Sequence, residues 1–406
     1  MVRLRNLRIL YVTHKMPYPP NDGARIRAFN TIKRLSENNK VSVLTLTAGD
    51  EESAHFNGLS QITEAGFFGS TKASFFWPRV LIGLFKGRSL SVIFFEDRKL
   101  KLNIQKRVND NQFDLIVVHS SAVAPYVLGV PVKKVMDFVD MDSVKWLEFS
   151  KNTDIFRKAM YRYEAWALKK LENKCVAEFD LCTVATNAEH EELMQRPGGA
   201  AKGWFVNGVD LEYFSRVQSH EYNDNLIVFL GKMDYWPNVD AAKFFTEDIL
   251  PMVKIRFGGV RFRIVGANPS REVRRLAQRH KNVEVTGRVD DVRPLVAGAA
   301  LSVAPLRVAR GTQNKVLESL AMRVPVVTNS MTLKGVDMRR GVDVLVGDTP
   351  EEFANEVCSV LGSKTRREQL AAAGQQRVIE RHNWDSAMDN FEELVESYVL
   401  SRRKEP

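Results

Sequence analysis

Short, uninterrupted apolar runs recur along this chain, each separated from the next by a longer amphipathic stretch. They fall at 9–13, 41–46, 115–118, 135–139 and 181–184, with helix-like segments at 24–38, 96–110, 155–178 and 187–195. A strand with no polar face must be covered on both sides. Helices supplied between such strands cover a parallel sheet. After Tyr222 the pattern restarts, with runs at 226–231, 262–266, 283–287, 301–305 and 324–328 and helical stretches at 238–256, 271–280, 313–322 and 350–381. The sequence therefore predicts an α/β chain of two domains, with the polar stretch 215–224 at the boundary. Its 406 residues suit that number, at about 100–200 residues per domain.

Composition narrows the class. Apolar residues are 44% and charged residues 27% of the chain, which excludes a disordered or fibrous protein. The net charge of +10 favours acidic partners such as phosphates, nucleotides, anionic lipid or nucleic acid. Three cysteines, Cys175, Cys182 and Cys358, form no C-x-x-C. A disulfide framework or zinc site is not expected, and a reducing cytoplasm fits. The apolar run after the basic N-terminus is too short for a signal peptide, and no run reaches the ~18 apolar residues of a membrane span. Among the 24 glycines none has another two positions on, so the dinucleotide fingerprint G-x-G-x-x-G is missing. A P-loop, a G-x-S-x-G elbow and an H-E-x-x-H helix are missing too.

Ligands of parallel sheets sit at the carboxyl ends of strands, and six stretches there invite a functional reading. After the first run come Lys15, Asp22, Gly23, Arg25 and Arg27. Asp22 can cap the next helix, Gly23 lets the backbone approach an anion, and the three cations add positive charge. A plain loop and cap would use the same residues. Residues 65–95 hold no Asp or Glu but interleave Phe67, Phe68, Phe75, Phe76, Trp77, Phe85, Phe94 and Phe95 with Lys72, Arg79, Lys86 and Arg88. That mixture suits an anionic membrane surface, or a core edged by solvated cations. Asp137, Asp140 and Asp142 crowd the end of another run. Asp140-x-Asp142 could hold a metal, but the preferred reading has Asp142 or Ser143 capping a helix and Asp140 facing a ligand. Asn207-Gly208 is a weak turn signal near the boundary. Gly231-Lys232 follows the first run of the second half, where a lysine can meet a phosphate. Finally, 305–321 reads as a strand end, a loop and a helix starting near Thr312. Gly311 and Thr312 can present amides to a diphosphate, and Arg310 and Lys315 can neutralise it. Glu318, on about the same helical face as Lys315, can accept both hydroxyls of a ribose. A simple i,i+3 ion pair is the alternative.

Taken together these stretches resemble glycosyltransferase family 4, of the GT-B fold. The strongest match is Lys315-Val316-Leu317-Glu318-Ser319-Leu320-Ala321-Met322-Arg323-Val324-Pro325-Val326-Val327, and the likeness runs along nearly the whole chain. Tyr11 to His14 with Pro17 to Pro20, Asp137 to Ser143, Tyr235 to Asp240, Gly287 to Pro294 and Ala304 to Lys315 are similar to the sugar transferases of bacterial PEP-CTERM/exosortase-type exopolysaccharide clusters. The resemblance implies two Rossmann-like domains with parallel sheets facing across a cleft. It divides the chain into an acceptor domain at 1–215, a donor domain at 216–382, and a terminal helix at 383–406 that crosses back to the first domain.

The implied activity is a retaining, metal-independent transfer from a nucleoside-diphosphate sugar, UDP before GDP, to a glycan or polyprenyl-linked acceptor. Gly23, Gly231, Lys232, Arg310, Gly311, Thr312, Asn314, Lys315 and Glu318 would bind the donor. Lys15, Arg25, Arg27, Asp137 and Asp140 would line the acceptor side, with Asp140, Lys232, Lys315 and Glu318 carrying the chemistry. No tightly bound cofactor and no nucleic acid is expected. The implied location is the cytoplasm, with peripheral contact to the inner membrane face through 65–95. Two departures stand out. The family's first glutamate of Glu-x7-Glu falls on Arg310, and its cleft histidine has no counterpart, Asp140 being the nearest residue. The competing expectations are a nucleotide-sugar epimerase or phosphorylase of the same fold, and a non-catalytic basic binding protein.

Overall fold

The computed structural model describes residues 4–47, 55–71, 76–215 and 222–401. Lys72 and Phe75 of the aromatic-basic stretch lie outside the described residues, as do the side chains of Phe76 and Trp77. The chain forms two compact units, Met1–Phe205 with Ala387–Pro406, and Val206–Ser386. Residues after Phe205 join the second unit because Val209 donates its amide to His382 (2.8 Å) and the His382 ring meets the Asn207 carbonyl (3.1 Å). Of the polar stretch expected at the boundary, 215–224, residues 216–221 lie outside the described residues. Ala387 onward packs in the first, with Phe391 against Phe205 at 4.9 Å and Glu392 accepting from Arg34 at 3.0 Å.

The first unit is built on a seven-stranded sheet in the order β3-β2-β1-β4-β5-β6-β7. The strands are β1 (Arg8–Thr13), β2 (Lys40–Thr47), β3 (Ala65–Ser70), β4 (Leu115–His119), β5 (Lys133–Val139), β6 (Leu181–Val184) and β7 (Ala201–Trp204). All pairings are parallel. The five apolar runs expected here are five of these strands. The edge strands β3 and β7 were not expected: each contains glycine, and Phe68 of β3 stays 41% exposed, so neither shows a continuous apolar signal. Sheet order reverses between β1 and β4, which brings Thr13 beside His119 at their carboxyl ends.

The second unit repeats the design with six parallel strands in the order β10-β9-β8-β11-β12-β13. These are β8 (Asn223–Leu230), β9 (Arg261–Val265), β10 (Val283–Val285), β11 (Ala299–Ala304), β12 (Val326–Thr328) and β13 (Leu345–Val346). Every residue of β11 is buried, as a central strand covered by helices requires. The core gathers Phe229, Phe245, Phe262 and Phe353, with Phe245 and Phe262 at 4.5 Å. Two expected helices are broken. The stretch 238–256 becomes Trp236–Phe244, a π turn Phe245–Ile249, and Leu250–Arg256. Pro251 has no amide to continue the α ladder, and the backbone widens ahead of it. The stretch 350–381 divides into Pro350–Leu361 and Lys364–Arg381 at Gly362, after which Ser363 caps the second helix through the Arg366 amide. All three cysteines are free and buried. Among the described residues no helix is long and apolar enough to cross a membrane.

Candidate functional site

In the second unit the carboxyl ends of β8, β9 and β11 lead into three loops that support one another. Gly266, after β9, has φ +153°, and a Cβ there would lie 1.7 Å from the carbonyl oxygen of Gly231. Gly231 itself leaves no room for a side chain against Asn238, 2.5 Å from the position its Cβ would take. Asn238 then bridges two elements. Its amide group donates to the Lys232 carbonyl (3.0 Å), and its side-chain oxygen accepts from Lys315 Nζ (2.8 Å). The backbone at Gly231-Lys232 and the cation of helix Asn314–Ala321 are thus fixed by one asparagine. The prediction is that Gly266→Ala destabilises the second unit by about 3 kcal/mol or more, since strain and clash act together. Gly258→Ala, with nothing within 4 Å of its added methyl, should stay within about 0.5 kcal/mol in the same urea titration.

The loop after β11 approaches its helix with Gly311 in the left-handed region, φ +63°. Gln313 stands at the N-cap without a side-chain cap bond and turns back to the Arg310 carbonyl (3.0 Å). The helix starts at Asn314, two residues later than expected. The hydroxyl of Thr312 and the side-chain oxygen of Asn314 are buried without hydrogen-bond partners. Polar atoms in that state cost stability unless a ligand or water meets them. Lys315 and Glu318 are both half-buried. Burial pulls the Lys315 ammonium down to about 8, with Glu318 opposing, and pushes the Glu318 carboxyl up to about 7, with Lys315 opposing. Lys315 bonds Asn238 and lies 5.5 Å from the centre of the Phe229 ring. Lys232 is exposed and Arg310 half-buried beside this loop.

In the first unit the expected acceptor-side residues divide into three groups. Asp22 does cap helix Gly23–Ser36, accepting from the Arg25 amide at 3.0 Å, and Gly23 is that helix's first residue. Lys15 and Arg25 both lie 3.8 Å from the same Asp22 carboxylate. Arg27 and Asp137 face each other in the interior. Arg27 is 0% and Asp137 2% exposed. Two bonds of 2.7 and 3.0 Å join them, Arg27 also donates to the Phe205 carbonyl (3.0 Å), and its guanidinium lies 3.5 Å from the Phe205 ring centre. These contacts occupy Arg27 and Asp137 with each other rather than with solvent. The guanidinium and His119 hold the Asp137 carboxyl well below the usual range against the opposing effect of burial.

Asp140 sits differently. Val139 has φ +67°, uncommon for a β-branched residue, and the Asp140 amide closes back on the Phe138 carbonyl at 2.8 Å. This is a strained γ-turn, at the point where β5 slips register against β6. Two glutamates hold it. Glu189 accepts from the Met141 amide (2.8 Å), and Glu172 accepts from the Ser143 amide (2.8 Å) and hydroxyl (2.5 Å). Neither Asp142 nor Ser143 caps helix Asp142–Phe149, contrary to expectation. Glu172, from helix Ile155–Glu178, satisfies the Ser143 amide there instead. Asp142 bonds Ser121 and Lys145. One oxygen of Asp140 is left buried and unpartnered, and burial raises its carboxyl.

Two histidines stand nearby in the sheet order: His14, which the sequence reading met only within the resemblance at Tyr11 to His14, and His119, which it did not name. His119 ends β4 and His14 follows β1, and their rings stack at 6.1 Å. Burial and the neighbouring His119 and Lys15 lower His14 to about 3, so it is neutral. His14 Nδ1 and His119 Nε2 are buried without partners. A histidine closing an apolar strand was the available signal.

The loop chemistry of the second unit falls within a recognisable domain. Residues 224–363 match the family model for group 1 glycosyl transferases. The matched part therefore holds Lys232, Arg310, Lys315 and Glu318. Among solved structures, Anabaena HepE in complex with UDP and glucose is similar over 97% of this chain and 100% of its own, at 14% identity and a TM-score of 0.69. Sucrose-phosphate synthase from Thermosynechococcus elongatus is similar over 96% and 98%, at 14% identity and 0.66. A putative UDP-N-acetylglucosamine 2-epimerase from Listeria monocytogenes is similar over 99% of both chains, at 13% identity and 0.57. No curated protein matches the chain. The chain thus carries a glycosyltransferase domain on a GT-B fold, two Rossmann-like units with parallel sheets.

Proposed function

We propose that this protein is a retaining glycosyltransferase of family 4, moving a sugar from a nucleoside diphosphate to a glycan or polyprenyl-linked acceptor in bacterial exopolysaccharide synthesis. The observation that carries the reading is the Lys315–Asn238 bond beneath the loop of unpartnered Thr312 and Asn314, inside the matched domain. A cation, helix amides and unsatisfied polar atoms at one place are suited to a diphosphate. The complexes of HepE with UDP and with UDP-glucose favour a uridine donor. In this reading the domains are 1–215 for the acceptor, 216–382 for the donor, and 383–406 returning to the first.

The proposed chemistry needs no protein nucleophile and no metal. The bond from the anomeric carbon to the phosphate oxygen breaks, and a bond to the acceptor oxygen forms on the same face. The acceptor proton passes to the departing phosphate. Lys232, Lys315 and the amides of Gly311 and Thr312 would stabilise the charge growing on that phosphate. Gly23 would leave room for the donor, Arg310 would serve the phosphates, and Glu318 would accept the ribose hydroxyls. Asp140 would hold the acceptor hydroxyl, with Lys15 and Arg25 beside the acceptor. The protein would work in the cytoplasm, touching the inner membrane face through residues 65–95.

Calorimetric titration with UDP, GDP, ADP, NAD and a short single-stranded DNA, with chelator present, tests the donor reading. Micromolar binding of one nucleoside diphosphate, weakened about tenfold or more in Glu318→Ala (~1.4 kcal/mol), is the expected result. Binding indifferent to Glu318, or steeply salt-dependent binding of DNA alone, overturns it. Release of an epimer without transfer to acceptor would assign the epimerase chemistry instead.

A further inference from the structure

We infer that the first unit docks on anionic bilayers through a composite face, in which the amino-terminal half of helix Ile155–Glu178 joins residues 81–88. This deepens the membrane contact proposed through 65–95 and rests on that reading. The two segments are fastened to each other. Tyr163 donates to the carbonyls of Leu84 (3.2 Å) and Arg88 (3.1 Å). Glu164, buried, accepts from the Ser89 hydroxyl (2.7 Å) and the amides of Leu90 (2.6 Å) and Ser91 (2.9 Å). A Cβ at Gly87 would lie 3.0 Å from the Trp166 ring.

What this fastened pair presents outward is apolar. Phe85 is 92%, Phe156 85% and Ile155 77% exposed, and Leu81, Ile82 and Trp166 are about half exposed, at 59%, 57% and 49%. Isolated exposed apolar residues are ordinary, but this many on two joined segments mark an interaction surface. On the long helix Ile155, Arg162, Trp166 and Lys170 follow helical spacing down one face. Lys170 lies 4.6 Å from the Trp166 ring centre. Lys86, Lys158, Arg162 and Lys169 are exposed around the apolar residues. The carboxylate of Glu164 is spent inside, and Asp154 caps the helix start. Apolar side chains ringed by cations, with tryptophan among them, match the chemistry of an anionic headgroup layer over acyl chains. A protein partner of ordinary surface would not call for so one-sided a charge.

The experiment is flotation of the full chain with vesicles of phosphatidylcholine, and of phosphatidylcholine with about one-third phosphatidylglycerol. Variants are Phe85→Glu, Phe156→Glu and the pair Lys158→Glu/Arg162→Glu, all at exposed positions. Urea unfolding of each variant, followed by circular dichroism, reports that the first unit is folded. The expected result is binding to anionic vesicles only, weakened at least about tenfold by each variant and by salt that shortens the screening length. No binding by the unaltered chain overturns the membrane reading altogether. Binding lost in Phe85→Glu but kept in Phe156→Glu and in the charge variant overturns the composite face and leaves the 65–95 contact standing. Equal binding to neutral vesicles overturns the role of the cations. A concentration-dependent dimer in sedimentation, abolished by both phenylalanine variants, would make the face a contact between copies and overturn the inference.

Discussion

Arg27→Met should unfold the first unit at much lower urea, with a loss of about 3–5 kcal/mol, the cost of leaving one partner of a buried ion pair alone. The arginine is fully buried and its two bonds to Asp137 are short. Among the described residues, removing it leaves the Asp137 carboxylate with the Thr183 hydroxyl at 3.2 Å and the His119 ring at 3.4 Å. It also removes the cation from the Phe205 face and the bond to the Phe205 carbonyl. Arg27→Met/Asp137→Leu should recover most of the loss, because replacing both charges removes the stranded one. If Arg27→Met costs less than about 1 kcal/mol, the pair is solvated, and Arg27 returns to the acceptor-side role that the sequence suggested for it.

That outcome bears on how a sequence carries a site. An arginine in the first turns of the helix that follows a first strand looks the same whether it meets a substrate or a carboxylate on a strand more than a hundred residues away. The partner, Asp137, was visible as one of three crowded carboxylates, but not the fact that Arg27 neutralises it. Capping was misjudged for a related reason. A local Asp or Ser is the default cap, and the glutamate that satisfies Ser143 comes from the carboxyl-terminal third of helix Ile155–Glu178. The strained turn at Val139 had no local signal, since valine there gives up its preferred backbone for the sake of surrounding contacts. By contrast, the central strands were legible because full coverage by helices demands unbroken apolar runs, and those runs have no other use. The edge strands β3 and β7, part-exposed and interrupted by glycine, escape that rule. The loop before Asn314 was legible because its chemistry is local: glycine, threonine, asparagine and lysine within one helical turn. Asn238, which joins Lys315 to the Gly231 loop, lies outside that window and was not read as part of it.

The proton balance of nucleotide binding should change sign between acid and alkaline pH, and this gives the second large effect. Free Glu318 titrates at about 7, raised by burial, and free Lys315 at about 8, lowered by burial. A ribose diol donates to the carboxylate and favours its charged form, and a diphosphate favours the ammonium. At pH 6 binding must therefore release a proton from Glu318, and near pH 9 it must take one up at Lys315. Affinity for UDP should peak between about pH 7 and 8 and fall toward both sides, by at most about tenfold per unit as one proton is linked on each limb. Titration calorimetry in buffers of different ionisation enthalpy reads the proton count directly. Lys315→Met should erase the alkaline limb and push the acid limb above pH 7, because Lys315 is the charge that holds the Glu318 carboxyl down. Glu318→Gln should erase the acid limb and shift the alkaline one below pH 8, since Glu318 supports the ammonium. On transfer itself, Lys315→Met should cost about 100-fold or more in kcat/KM, ~2.7 kcal/mol. That is the scale of removing one fixed charge from beside a leaving group. A flat proton count across the range, with Lys315→Met retaining full transfer, would place the diphosphate elsewhere and return the Lys315–Asn238 bond to a structural part.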